Sequence, residues 1–93
     1  MLLTEQKQKL IESLYEELKD TPRLISIKYF NNPGEPEFVE VITEEHMPSL
    51  GLLNIYHTLN IAGLRCTNKL DDVEWDNDTG KFIKYVDIYY FQF

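Results

Sequence analysis

The sequence predicts a single α+β domain over residues 1–93, in the order α-β-β-α-β-β, with a four-stranded, mostly antiparallel sheet packed with two helices. Three observations carry that prediction. Residues 4–19 hold an apolar stripe at helical spacing. Two stretches of alternating apolar and polar residues are each interrupted by a turn-rich loop. Between them, residues 47–64 contain no Asp, Glu, Lys or Arg, although charged residues make up 27% of the chain.

The first helix is expected from Thr4, a suitable N-cap, to about Lys19. Leu10, Ile11, Leu14, Tyr15 and Leu18 share one stripe, and Lys9, Glu12, Glu16 and Glu17 occupy the remaining surface. Thr21-Pro22 ends it. Arg23 to Phe30 then reads as a strand, with Ile25, Ile27 and Tyr29 on one face and Leu24, Ser26, Lys28 and Phe30 on the other. The loop Asn31-Asn32-Pro33-Gly34-Glu35-Pro36 turns the chain into a second strand, Phe38 to Thr43. Pairing Tyr29 with Val39 and Ile27 with Val41 keeps like faces together and sets Lys28 opposite Glu40.

The charge-free stretch reads as a helix. Pro48 suits its first position, and Leu52, Ile55, Tyr56 and Leu59 recur at the spacing of one helical face. Gly63 can close it in the left-handed conformation, with Leu64 touching Leu59 as in a Schellman cap. A second stripe, Leu50, Leu53, His57 and Ile61, lies elsewhere on the same helix. A helix apolar on two sides needs cover on two sides, from the chain or from a partner. Its polar residues and short length argue against a membrane span.

Arg65 to Trp75 is expected as a strand with an irregularity near Asn68. Asp76 to Gly80 is a hairpin loop, and Phe82 to Phe91 is the last strand. Pairing Trp75 with Lys81 would set Lys69 opposite Asp87 and Asp72 opposite Lys84. Leu64, Cys66, Leu70, Val86, Ile88 and Tyr90 would then form the core face. Val73, Trp75, Ile83, Tyr85, Tyr89 and Phe91 would form the other, with Phe93 beyond. If both helices cover one face, the second is a bare aromatic surface of the kind that marks interaction sites. If one helix packs on each face, both are hidden. A chain end in water normally frays, so Tyr89-Tyr90-Phe91-Gln92-Phe93 implies a docked strand or a shared interface.

Charge narrows the partners. A net charge of −7 argues against holding nucleic acid through phosphate neutralisation, and against docking on anionic lipid. Basic protein surfaces remain open as partners. The opening residues MLLTEQKQ offer no signal-peptide apolar region, and the one cysteine cannot build a disulfide framework. Both favour a reducing, cytoplasmic location.

Candidate chemistry is sparse. Cys66 and His57 are a nucleophile and a base on paper, but no oxyanion motif accompanies them, and a free cysteine on a core face is normally a small hydrophobe. Asp76, Asp78 and Gly80 lack the third acidic ligand, the mid-loop glycine and the closing glutamate of a calcium loop. No phosphate-binding, dinucleotide or metal motif is present, so no cofactor and no enzymatic activity are expected.

Two functions follow as expectations. The first is a non-enzymatic protein–protein interaction or regulatory domain, homodimeric through an aromatic sheet face carrying Trp75, Tyr85, Tyr89 and Phe91. The second is a small acidic inhibitor or immunity-type protein that blocks a basic site on a nucleic-acid-handling protein. Its acidic surface would combine Asp72, Glu74 and Asp76, repeating about every 6.6–6.8 Å along a strand, with Glu40 and Glu44.

Overall fold

The computed structural model describes residues 3–93. Helix α1 (Thr4–Leu18) leads into strands β1 (Leu24–Phe30) and β2 (Phe38–Glu44). Helix α2 (Ser49–Ile61) follows, then β3 (Arg65–Trp75) and β4 (Phe82–Gln92). All pairings are antiparallel, and the strand order is β1-β2-β4-β3. The two hairpins therefore join through their second strands, and β1 and β3 form the edges.

Both helix ends obey the local chemistry. Thr4 is the first helical residue and Leu3 takes the cap position, where its N–H donates to Gln6 Oε1 at 2.8 Å. This satisfies one of the donors that a helix start leaves open. Pro48 likewise sits at the cap of α2, one residue earlier than its sequence position suggested. At the far end Gly63 adopts φ +95°, Leu64 N–H donates to Leu59 O at 3.0 Å, and Gly63 N–H donates to Asn60 O. That is the Schellman cap, and Leu59 and Leu64 are both fully buried by it.

One apolar cluster holds the molecule together. Ile11, Leu14 and Leu18 from α1 meet Ile55 and Leu59 from α2 over Ile27, Val39, Val41, Tyr89 and Phe91 of the sheet. The two helices thus lie on the same face. The expected α1 stripe and the Leu52/Ile55/Tyr56/Leu59 stripe of α2 both point into this cluster. The other α2 stripe finds no cover within the described residues: Leu50, Leu53 and Ile61 are 82%, 63% and 74% exposed.

The first hairpin has the expected register, with Tyr29 opposite Val39, Ile27 opposite Val41 and Lys28 opposite Glu40. A bulge between Leu24 and Ser26 turns Leu24 toward the helices instead of placing it with Phe30.

The second hairpin departs from expectation in two ways. Its register is displaced by two residues, so Lys69 faces Tyr89 rather than Asp87, Asp72 faces Val86 and Trp75 faces Phe82. The turn explains the shift. Asp76 N–H donates to Lys81 O and Gly80 N–H to Asp76 O, so the chain reverses within this loop, and a bulge at Glu74/Trp75 takes up the remainder. Glu74 then gains Lys84 as its cross-strand partner.

The second departure is the assignment of faces. Val39 pairs with Phe91 and Val41 with Tyr89, so the odd-numbered residues of β4 face the helices. Tyr90, Ile88 and Val86 point away, with Leu70 beside Ile88. A bulge at Thr67 keeps Cys66 on the helix side opposite Phe91 while moving Leu70 to the outer side.

Candidate interaction surface

Of the four residues assigned to an aromatic interface, Trp75 and Tyr85 are 52% and 58% exposed. Tyr89 and Phe91 are not surface residues: they lie in the helix-side core at 4% and 0% exposure. The ring of Tyr56 packs against both, with centroids at 5.8 and 5.4 Å. Trp75 and Tyr85 instead join Phe82 where the β3–β4 hairpin extends past the end of β2. The Trp75 and Phe82 rings meet at 6.2 Å, and those of Phe82 and Tyr85 at 4.9 Å.

The sheet face turned away from both helices is the broader apolar surface. Its centre is the cross-strand row Ile42–Ile88–Leu70. Phe30 stacks on Phe38 at 5.0 Å, and Phe38 meets Tyr90 edge-on at 5.5 Å. A shallow groove of about 440 Å³ crosses it, floored by Phe38, Leu70 and Tyr90 and rimmed by Pro36. Charged residues flank this centre. Lys28 lies opposite Glu40 on one side. On the other, Lys84 sits 3.0 Å from Glu44 and 3.8 Å from Glu74. An apolar middle with a charged rim is the anatomy of a protein interface.

The five acidic residues singled out from sequence do not form one array. Asp72 and Glu74 share the outer face of β3, but Asp76 lies past the strand end in the turn. There its carboxylate accepts Asp78 N–H at 2.9 Å, and this bond with the Thr79 hydroxyl holds its pKa below the usual value. Glu44 and Glu74 are engaged with Lys84, and Glu40 faces Lys28.

A polar trio ties α1 to the helix side of the sheet. The Lys7 ammonium and the Tyr29 hydroxyl both donate to Glu37. Lys7 and Tyr29 hold the Glu37 carboxyl below its ordinary pKa, whereas burial and then that carboxylate push the Tyr29 phenol up to about 12. Lys7 also lies 5.1 Å from the Phe93 ring centroid, which docks the end of the chain. Sequence reading missed this trio because its members are separated by 22 and 8 residues along the chain.

Cys66 and His57 do not converge. Tyr56 faces the sheet and donates to Cys66 Sγ at 3.5 Å, while its neighbour His57 is exposed. Burial and then the thiol raise the Tyr56 phenol above its ordinary pKa. Among the described residues no three His, Cys, Asp or Glu side chains are grouped to hold a metal ion. Nor is any helix among them long and apolar enough to cross a membrane. A groove of about 710 Å³ runs between α1 and the free edge of β1, lined by Ile11, Tyr15, Ile27 and Phe30. No protein-family model matches the chain, and comparison with curated proteins and with solved structures gives no match.

Proposed function

We propose that this chain is a non-enzymatic protein–protein interaction domain that pairs with a second copy of itself through the outer face of its sheet. One observation carries the proposal: both helices pack on one side, leaving Phe30, Phe38, Ile42, Leu70 and Tyr90 without an overlying element among the described residues. The exposed stripe of α2 is a weaker candidate. It is a few aliphatic side chains on a helix roughly 20 Å long, too narrow alone for a standard interface of about 1,600 Å².

A second copy suits the outer face for two reasons. The face carries both signs of charge, so two acidic chains can meet there without opposing like rims. A two-fold axis parallel to the strands would also exchange β2 with β4, setting Ile42 over the copy's Ile88. The test is the double variant Phe38→Ser with Leu70→Glu. Light scattering should give the monomer mass for it and a dimer for the parent, with unchanged circular dichroism. The same mass for both proteins would refute the assignment.

A second reading, an acidic inhibitor of a basic protein, draws support from the free edge of β3. There Asp71, Asp72 and Glu74 are exposed, leading into Asp76 and Asp78. Salt separates the two. An electrostatic complex weakens steeply as ionic strength rises, and a sheet-face dimer does not.

A further inference from the structure

The helix-side face is sealed at the rows of Phe91 and Tyr89 but not at the next row along β4. There Asp87 stands directly opposite Asp71 of β3 on one side and Thr43 of β2 on the other. Side chains directly opposite in an antiparallel pair have Cβ atoms only about 4.5–5.5 Å apart, and like charges there repel. Asp87 is only 9% exposed while Asp71 is exposed, so water screens this repulsion from the β3 side only. Thr43 does not relieve it: its hydroxyl is fully buried and finds no hydrogen-bond partner among the described residues.

The groups facing Asp87 are few. Lys69 and Asp71 come from β3, Glu45 and His46 from the segment leading into α2, and Tyr89 from β4 itself. Met47 and Leu52 cap the cleft above with apolar atoms. The single ammonium, Lys69, lies 5.6 Å from the Tyr89 ring centroid, and two further carboxylates oppose it. Directly opposite across the strand pair, the two carboxyl groups are placed to share one proton, which would replace their repulsion by a charge-assisted hydrogen bond.

We propose that Asp71 and Asp87 form a proton-binding pair that clamps edge strand β3 to β4 while they share one proton, and releases that row when the proton is lost to solvent. β3 is the element such a pair can control, because among the described residues it pairs with β4 alone. Burial first, and Asp71 next, raise the Asp87 carboxyl above its unfolded value of 3.8. The sign follows. The folded state holds the proton more tightly than the unfolded chain, so the pair's contribution is complete below the unfolded value. It is lost as pH rises through the folded one.

The test uses the full chain, Asp87→Asn and Asp71→Asn, with thermal midpoints and amide exchange followed from about pH 4 to about pH 8. Relative to either variant, the parent should lose stability as pH rises. At the upper end both variants should melt higher than the parent by about 4 °C or more. Exchange of the amides of residues 69–73 should quicken with pH in the parent beyond the intrinsic base-catalysed rate, and not in the variants. Asp71→Asn, at an exposed position, carries the test even if Asp87→Asn folds poorly. Parallel pH profiles for parent and Asp71→Asn, or a lower midpoint for Asp71→Asn throughout, would overturn the proposal.

Discussion

The two faces of this sheet are built from similar residues and meet different fates. On the helix side Val39, Val41, Tyr89 and Phe91 lie at most 4% exposed beneath α1 and α2. On the outer side Val86 and Ile88 are shielded by their neighbours at 6% and 8% exposure, but Phe30, Phe38, Ile42 and Tyr90 remain half-buried and Leu70 is 47% exposed. Composition does not separate them. What does is the junction between the hairpins, where β2 pairs with β4 and fixes which set of β4 side chains joins the Ile27/Val39/Val41 surface. Two helices close one side of this four-stranded sheet, and the apolar surplus lies on the other, the surface on which the proposed self-association rests.

The largest expected effect contrasts adjacent residues. Phe91→Ala should cost about 3–5 kcal/mol of unfolding free energy, because it empties a fully buried site beneath Tyr56. Tyr90→Ala, one residue away on the outer face, should cost about 1 kcal/mol, chiefly its edge contact with Phe38, and should weaken self-association instead. Urea denaturation measures the first quantity and light scattering the second. Comparable losses from the two variants would erase the distinction between the faces.

Ion pairs give a second contrast. Glu37→Gln removes a carboxylate held by Lys7 and Tyr29, at a cost of about 1–2 kcal/mol near neutral pH. Its pKa is depressed in the fold, so that stabilisation is present above the unfolded value and vanishes as pH falls through the folded one. Midpoints of parent and variant should therefore converge in acid. Lys84→Met, on the outer face, should leave stability unchanged, since its pairs with Glu44 and Glu74 are solvated.

The smallest effect concerns the flawed row within the helix-side face. Thr43→Val keeps the shape and removes a buried hydroxyl without a partner, so it should stabilise by about 1 kcal/mol. A destabilised Thr43→Val would mean that the hydroxyl is bonded in solution.

Sequence made the local features legible and left the non-local one open. The first hairpin register could be read because Lys28 and Glu40, with Tyr29 and Val39, match in only one alignment. The close of α2 could be read because Gly63 and Leu64 satisfy a cap that depends on neighbours alone. The faces of the second hairpin could not. One charged residue sits on each side of β4 between Phe82 and Phe91, Asp87 among the odd positions and Lys84 among the even, so charge gave no preference. The bulge at Thr67 then reversed the phase of β3, so Cys66 and Leu70 fall on opposite sides. This is why Tyr89 and Phe91 belong to the core while Trp75 and Tyr85 remain exposed. The expected acidic ladder ended early because the strand stops at Trp75 and Asp76 serves the turn.

The most direct measurement is the mass of the unmodified chain in solution at micromolar concentration and raised salt. Twice 11.0 kDa is the result a covered outer face requires. A value of 11.0 kDa at every concentration, with the outer-face rings open to solvent, would contradict it.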